Sequence, residues 1–148
     1  MFSTPLILVV EDTSDDFFFL ERAFSKAGID VALTQFTTAE DAVQFFLSHD
    51  SSLQFPSLLL LDLKLPGMTG HDLLRWIRTQ PQLKPLPVVI LSGSVLESDK
   101  SESMALGADA YFSKPPGVPE YASLAEQIYH RWLKPSPDPQ VSALAKAL

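Results

Sequence analysis

The sequence predicts an α/β domain built on a parallel sheet with helices on both faces. Three observations predict it. Five short apolar segments, residues 6–10, 31–36, 58–61, 87–91 and 108–112, recur at intervals of roughly 20–30 residues, with helical patterns between them. One of them, Leu58-Leu59-Leu60-Leu61, is apolar at every position and bounded by Pro56-Ser57 and Pro66-Gly67, the pattern of a strand buried on both faces. Polar residues then stand at the C-terminal ends of these segments, the edge where open α/β sheets place ligands and chemistry.

The elements follow in order. The first helix is expected over residues 14–27, with a stop at Gly28. Phe17, Leu20, Ala23, Phe24 and Ala27 share one face of it, with Phe19 at the edge of that face. Phe18 points the other way, beside Glu21, Arg22 and Ser25. The second helix starts at a Thr38 cap and runs to about Ser48. The third follows Thr69-Gly70 and ends before Pro81. The fourth, over residues 97–106, is weak, because residues 97–103 are all charged or serine and only Met104, Ala105 and Leu106 could anchor it. The fifth, over residues 119–133, is strongly apolar. Residues 1–133 thus read as one domain. Lys134-Pro135-Ser136-Pro137-Asp138-Pro139 reads as a linker. The remaining residues set Val141, Leu144, Ala145 and Leu148 on one stripe, a frayed tail or a short docking element.

Composition narrows the function. Eighteen acidic residues against eleven Lys and Arg give a formal net charge of -7, which repels nucleic acid, and no basic cluster offers a local exception. No apolar run approaches the roughly 20 residues of a membrane span, and the first five residues lack the basic start of a signal peptide. With no cysteine, thiol catalysis, disulfides and Cys-ligated metals are excluded, in keeping with a cytoplasmic location.

The strand-end residues carry the chemistry. Asp62 closes the leucine strand, and a carboxylate there is costly to bury without a partner. The first strand ends in Val9-Val10-Glu11-Asp12. If its end neighbours that of the third strand, Glu11, Asp12 and Asp62 converge, and their mutual repulsion calls for a cation. An all-oxygen set with no Cys or His favours Mg²⁺ or Mn²⁺ over zinc. The blander reading is that Glu11 and Asp12 cap the first helix, but Asp15 and Asp16 already suit its positive end. The fourth strand ends at Ser92, alone an ordinary turn or cap residue. The fifth is followed by Lys114, alone an ordinary surface charge. Together, acids, hydroxyl and ammonium stand in an order that suits one site.

This constellation resembles the receiver domain of two-component response regulators. The resemblance rests on Val9-Val10-Glu11-Asp12, on the run from Leu60 to Gly70, on Ser92, on Gly107-Ala108-Asp109-Ala110-Tyr111 and on Lys114-Pro115. It implies a flavodoxin-like, doubly wound sheet of five parallel strands in the order 2-1-3-4-5. It implies that Asp62 is a phosphoacceptor, with Asp12 a direct Mg²⁺ ligand, Glu11 acting mainly through metal-bound water and the backbone carbonyl of Lys64 a further ligand. Lys114 would pair with a phosphoryl oxygen, preceding a cis bond to Pro115. Ser92 and Tyr111 would be the hydroxyl and aromatic switch residues, although a half-buried Tyr111 simply packing on the sheet edge is the plainer alternative. The Lys64 side chain, two residues past Asp62, either shields the acyl phosphate or is merely solvated.

The resemblance also implies partners. The chain would accept its phosphoryl group from a sensor histidine kinase and signal by protein contact, with no room after Lys134 for an output domain. Its opening Val-Glu-Asp-x-x-Asp-Asp and the Leu-Asp-Leu-Lys-Leu-Pro run look most like the small regulators paired with bacterial phytochrome kinases. Phe18 is a candidate kinase contact, against the reading that lone exposed apolar residues are normal. Tyr129 and Leu133 widen the apolar arc of the fifth helix, as a homodimer face would, unless the tail covers them. Two other readings remain. A pseudo-receiver would bind partners without phosphorylation, but would typically lack part of the acids or the lysine. A haloacid-dehalogenase-type hydrolase would want an aspartate where Lys64 stands.

Overall fold

The structure, a computed structural model, describes residues 4–48 and 54–134; the linker beyond Lys134 and the stripe at Val141 to Leu148 lie outside the described residues. Five parallel strands form one sheet: β1 (Leu6–Val10), β2 (Ala32–Phe36), β3 (Leu58–Leu61), β4 (Val88–Ser92) and β5 (Ala110–Ser113), in the order β2-β1-β3-β4-β5. The helices α1 (Ser14–Lys26), α2 (Ala39–Ser48), α3 (Gly70–Thr79), α4 (Glu97–Ala105) and α5 (Val118–Ile128) fill the connections. The chain reverses direction across the sheet between β1 and β3, which therefore sit side by side, with Val10 level with Leu61.

Side chains along a strand alternate between faces, so each central strand feeds two cores. Ile7, Val9, Leu58, Leu60, Val89 and Leu91 pack toward α1 and α5, with Leu20, Ala23, Phe24, Leu124 and Ile128. Leu8, Val10, Leu59, Leu61, Val88 and Ile90 pack toward α2 and α3, with Ala42, Phe46, Leu73, Leu74 and Ile77. All four β3 leucines are buried, each worth about 1.5–3 kcal/mol relative to exposure.

Local chemistry sets the boundaries. Thr13 caps α1 by accepting from the Asp16 N–H. At its other end Gly28 takes φ 72°, so that Gly28 N–H reaches Ser25 O and Ile29 N–H reaches Phe24 O. Thr69 and Asp72 form a reciprocal capping box on α3. Residue 108, expected in the fifth strand, instead closes α4, its N–H donating to Ser103 O.

Two helices differ from expectation. α4 buries Ser103 alone, while Met104 and Ala105 are exposed and only Leu106, just past the helix, packs on a core. Its seat is polar: His71 Nε2 lies 2.8 Å from Ser103 Oγ, Ser103 Oγ donates to Asp99 O at 2.8 Å, and Ser94 Oγ donates to Asp99. α5 passes into a π-helical turn over Tyr129–Leu133, closed by Lys134 N–H to Tyr129 O at 2.7 Å. This wider turn swings Leu133 inward, where it joins the α1 and α5 core at 9% exposure. Leu133 is therefore a core residue and not part of a partner face. Tyr129 and Trp132 are half-buried against the same core.

Arg78 locks the far end of this face. Its guanidinium donates to Gly107 O, Lys84 O, Leu86 O and Asp109 Oδ2 at 2.9–3.1 Å. Asp109 also accepts from Val88 N–H, tying α3, the start of β4 and the approach to β5 into one unit.

Candidate functional site

The site forms where β1, β3 and β5 end. β1 delivers Glu11 and Asp12, β3 delivers Asp62, and Lys114 follows β5, its backbone N–H anchored to Ser92 O at 2.8 Å. Gly70 lets α3 start against this edge: a Cβ there would overlap the Asp62 carbonyl oxygen and lie 2.7 Å from Leu63 Cα. The Gly70 N–H donates to Leu63 O. Asp62 and Glu11 are buried, at 5% and 4% exposure, whereas Asp12 is open to solvent.

One ammonium holds the acids. Lys114 Nζ lies 2.9 Å from Glu11 Oε2, 2.8 Å from Asp16 Oδ2 and 3.0 Å from Asp62 Oδ2, which engages all three of its protons. Burial disfavours the charged lysine, but the bonds from Asp16, Glu11 and Asp62 outweigh it and hold its pKa above the ordinary lysine value. Burial pushes the Glu11 carboxyl up to about 7, opposed by the bonds from Lys114 and Thr13. Glu11 Oε1 accepts from the Thr13 N–H at 3.1 Å, so it touches the α1 cap as well as the site.

The donor set fits a hard divalent cation. Carboxylate oxygens of Glu11, Asp12 and Asp62 all lie within 4.8 Å of one another. With Asp16, four carboxylates crowd a single ammonium, leaving a negative excess that a cation would offset. All-oxygen ligands suit Mg²⁺ or Mn²⁺. The Lys64 N–H donates to Asp62 Oδ1 at 3.4 Å, and its side chain is exposed.

The hydroxyl and aromatic residues come from β4 and β5. Ser92 is fully buried, its hydroxyl oxygen accepting from Ser94 N–H at 3.2 Å. Half-buried Tyr111 packs on the α2 and α3 core and donates its hydroxyl to Ser94 O at 3.1 Å. Ser94 thus joins Ser92, Tyr111 and Asp99. Sequence reasoning missed it, since a serine in Gly93-Ser94 reads as an ordinary turn. It also missed Asp16, whose place in the first turn of α1 is satisfied by the helix dipole alone. Phe18 is 53% exposed, its ring edge-on to Phe19. No cis peptide occurs among the described residues, so Lys114-Pro115 is trans, the form that X-Pro bonds favour by about 0.5–1 kcal/mol.

Comparison with known proteins agrees with this geometry. The family model for the response regulator receiver domain matches residues 7–125. Response regulator Rcp1 of Synechocystis is 30% identical over 132 residues, covering 87% of this chain and 89% of that protein. The crystal structure of Mn²⁺-bound Rcp1 aligns with a TM-score of 0.78 at 29% identity, over 91% of this chain and 99% of that one. The phosphorylated cyanobacterial phytochrome response regulator RcpA aligns with a TM-score of 0.81 at 27% identity, over 93% and 99%. The chain spans less than half the length of some longer transcriptional regulators that it also matches. Among the described residues, no helix is long and apolar enough to cross a membrane. Sheet order, site and family model agree: the chain belongs to the response regulator receiver domain family.

Proposed function

We propose that this chain is a Mg²⁺-dependent phosphoacceptor that takes a phosphoryl group from a histidine kinase onto Asp62. The observation that carries the reading is Lys114 Nζ 3.0 Å from Asp62 Oδ2, beside the converging carboxylates of Glu11, Asp12 and Asp62. An Asp62 oxygen attacks the phosphorus of a phosphohistidine in line. The P–O bond forms as the P–N bond breaks, and the electron pair returns to the imidazole. Lys114 offers its ammonium to a phosphoryl oxygen. Asp12, Glu11, Asp62 and the Lys64 carbonyl would hold the cation, which when bound offsets charge on the transferring group.

Ser92 and Tyr111 relay the change. Phosphorylation adds charge and strong acceptors beside Ser92, whose hydroxyl then turns from Ser94 toward the phosphoryl group. Tyr111 gives up its bond to Ser94 O and moves with it. α4, seated by polar bonds, is the element free to follow.

The similarity to the phytochrome response regulator RcpA supports pairing with a phytochrome-type kinase. Exposed Phe18 on α1 is the proposed kinase contact. A homodimer through the region of β5 and α5 would use half-buried Tyr129, without Leu133.

Incubation with Mg²⁺ and acetyl phosphate, read by intact mass, tests the central reading. The parent should gain one phosphoryl group and Asp62→Ala none. An unmodified parent, or an adduct that survives in Asp62→Ala, would overturn it.

A further inference from the structure

Lys114 has three carboxylate partners, and two of them, Glu11 and Asp62, belong to the trio that converges as a metal-binding set. The third, Asp16, lies outside that trio. It comes from the first turn of α1, 98 residues away in sequence, and makes the shortest of the three contacts at 2.8 Å. Thr13 fixes it twice: the Thr13 hydroxyl donates to Asp16 Oδ2 at 2.9 Å, and the Asp16 N–H donates back to Thr13 Oγ at 3.4 Å.

These constraints have different fates in the working site. A cation bound by Glu11, Asp12 and Asp62 competes with Lys114 for two of its acceptors. Phosphorylation of Asp62 converts one of its carboxylate oxygens into an ester oxygen, a poor acceptor. Asp16 alone keeps a full carboxylate for the ammonium throughout, because it is neither a member of the converging trio nor the residue phosphorylated. A four-carbon stem with no such tether would sweep a wide volume.

We propose that Asp16 is a positioning residue. It holds the Lys114 ammonium beside Asp62 while the cation engages the other acids, leaving one donor aimed at the incoming phosphoryl oxygen. Asp16 touches neither phosphorus nor metal and acts only through Lys114. The inference rests on the reading of Asp62 as phosphoacceptor. The step it assists is balanced. With acetyl phosphate, an Asp62 oxygen forms the new P–O bond, the bond from phosphorus to the acetyl oxygen breaks, and acetate leaves with the electron pair.

A double-mutant cycle tests it, with Asp16→Asn, Lys114→Met and the pair, at saturating Mg²⁺ and with acetyl phosphate as donor. Loss of one charge-assisted bond predicts about tenfold slower phosphorylation in Asp16→Asn. In the Lys114→Met background, Asp16→Asn should slow the reaction no further. The full slowing in that background, or no slowing in the parent background, overturns the proposal.

A second measurement does not depend on phosphorylation or on a variant folding. The ¹⁵N–¹H signal of the Lys114 ammonium should stay protected from solvent exchange when Mg²⁺ is added to the parent. Exchange rising to that of surface lysines on Mg²⁺ addition overturns the proposal. If the parent takes up no phosphoryl group, the phosphoacceptor reading fails, while the ammonium signal still decides whether Asp16 tethers Lys114.

Discussion

Replacing Lys114 by Met keeps an apolar stem of similar length and removes the charge that holds three acids together. Its ammonium lies within 3.0 Å of Glu11, Asp16 and Asp62, whose side chains are 5%, 29% and 6% exposed. Removing one partner from a buried pair costs about 3–5 kcal/mol. Lys114 retains 19% exposure, so solvent screens part of this and about 3 kcal/mol is expected near pH 8 without metal. For a chain of this length that is a fall of about 6–12 °C in Tm. The loss should be smaller near pH 5.5. Burial raises Glu11 to about 7 from 4.5, so between those values the folded protein keeps a proton that the unfolded chain has lost. Stability contributed by this group is therefore present at the low end of that window and is lost as pH rises through it. With Glu11 protonated, one fewer charge depends on Lys114. Saturating Mg²⁺ should recover most of the loss at about pH 8, since the cation takes over the neutralisation. Thermal melts of parent and variant at both pH values, with and without Mg²⁺, check this. Equal destabilisation in all conditions would show that Lys114 contributes by packing alone and would refute the electrostatic argument.

Three further outcomes follow from the same geometry. Gly70→Ala drives a methyl group into the Asp62 carbonyl and should weaken Mg²⁺ binding about tenfold or more, measured by titration calorimetry, while far-UV dichroism stays native. Arg78→Ala removes four hydrogen bonds and strips acceptors at Lys84, Leu86 and Gly107, for an expected loss of about 2–3 kcal/mol in urea unfolding. Ser103→Ala removes the hydroxyl of the one residue that α4 itself buries. It should speed amide hydrogen exchange in α4 several-fold, with little change in β1 or β3.

The sheet was legible because burial on both faces imposes an unbroken apolar run. β1 and β3 were expected at the residues where they lie, and Gly28 and Thr69 ended and began their helices as turn chemistry requires. Glu11, Asp62 and Lys114 were legible as a site because parallel strands bring their C-terminal ends to one edge. What escaped were partnerships between residues each adequately explained alone. Asp16 suits a helix start, Ser94 suits a turn, and Asp109 suits a loop, so nothing in their local sequence announces Lys114, Tyr111 or Arg78. The π turn after α5 has no compositional mark, and an α-helical wheel therefore set Leu133 on the wrong side. The weakness of α4 was legible, but its seat was not. Apolar pattern reveals greasy anchors, whereas a serine inside a helix looks like surface.

That polar seat has a thermal consequence. Displacing a helix that buries apolar side chains exposes hydrocarbon to water and carries a heat-capacity change, so its equilibrium drifts with temperature. The side chain that α4 itself buries carries a hydroxyl, so the proposed displacement would uncover little hydrocarbon of the helix's own. The balance between its positions is then set chiefly by exchanging one set of hydrogen bonds for another. An element built this way, serving as the proposed switch, would keep nearly the same set point in cold and warm surroundings.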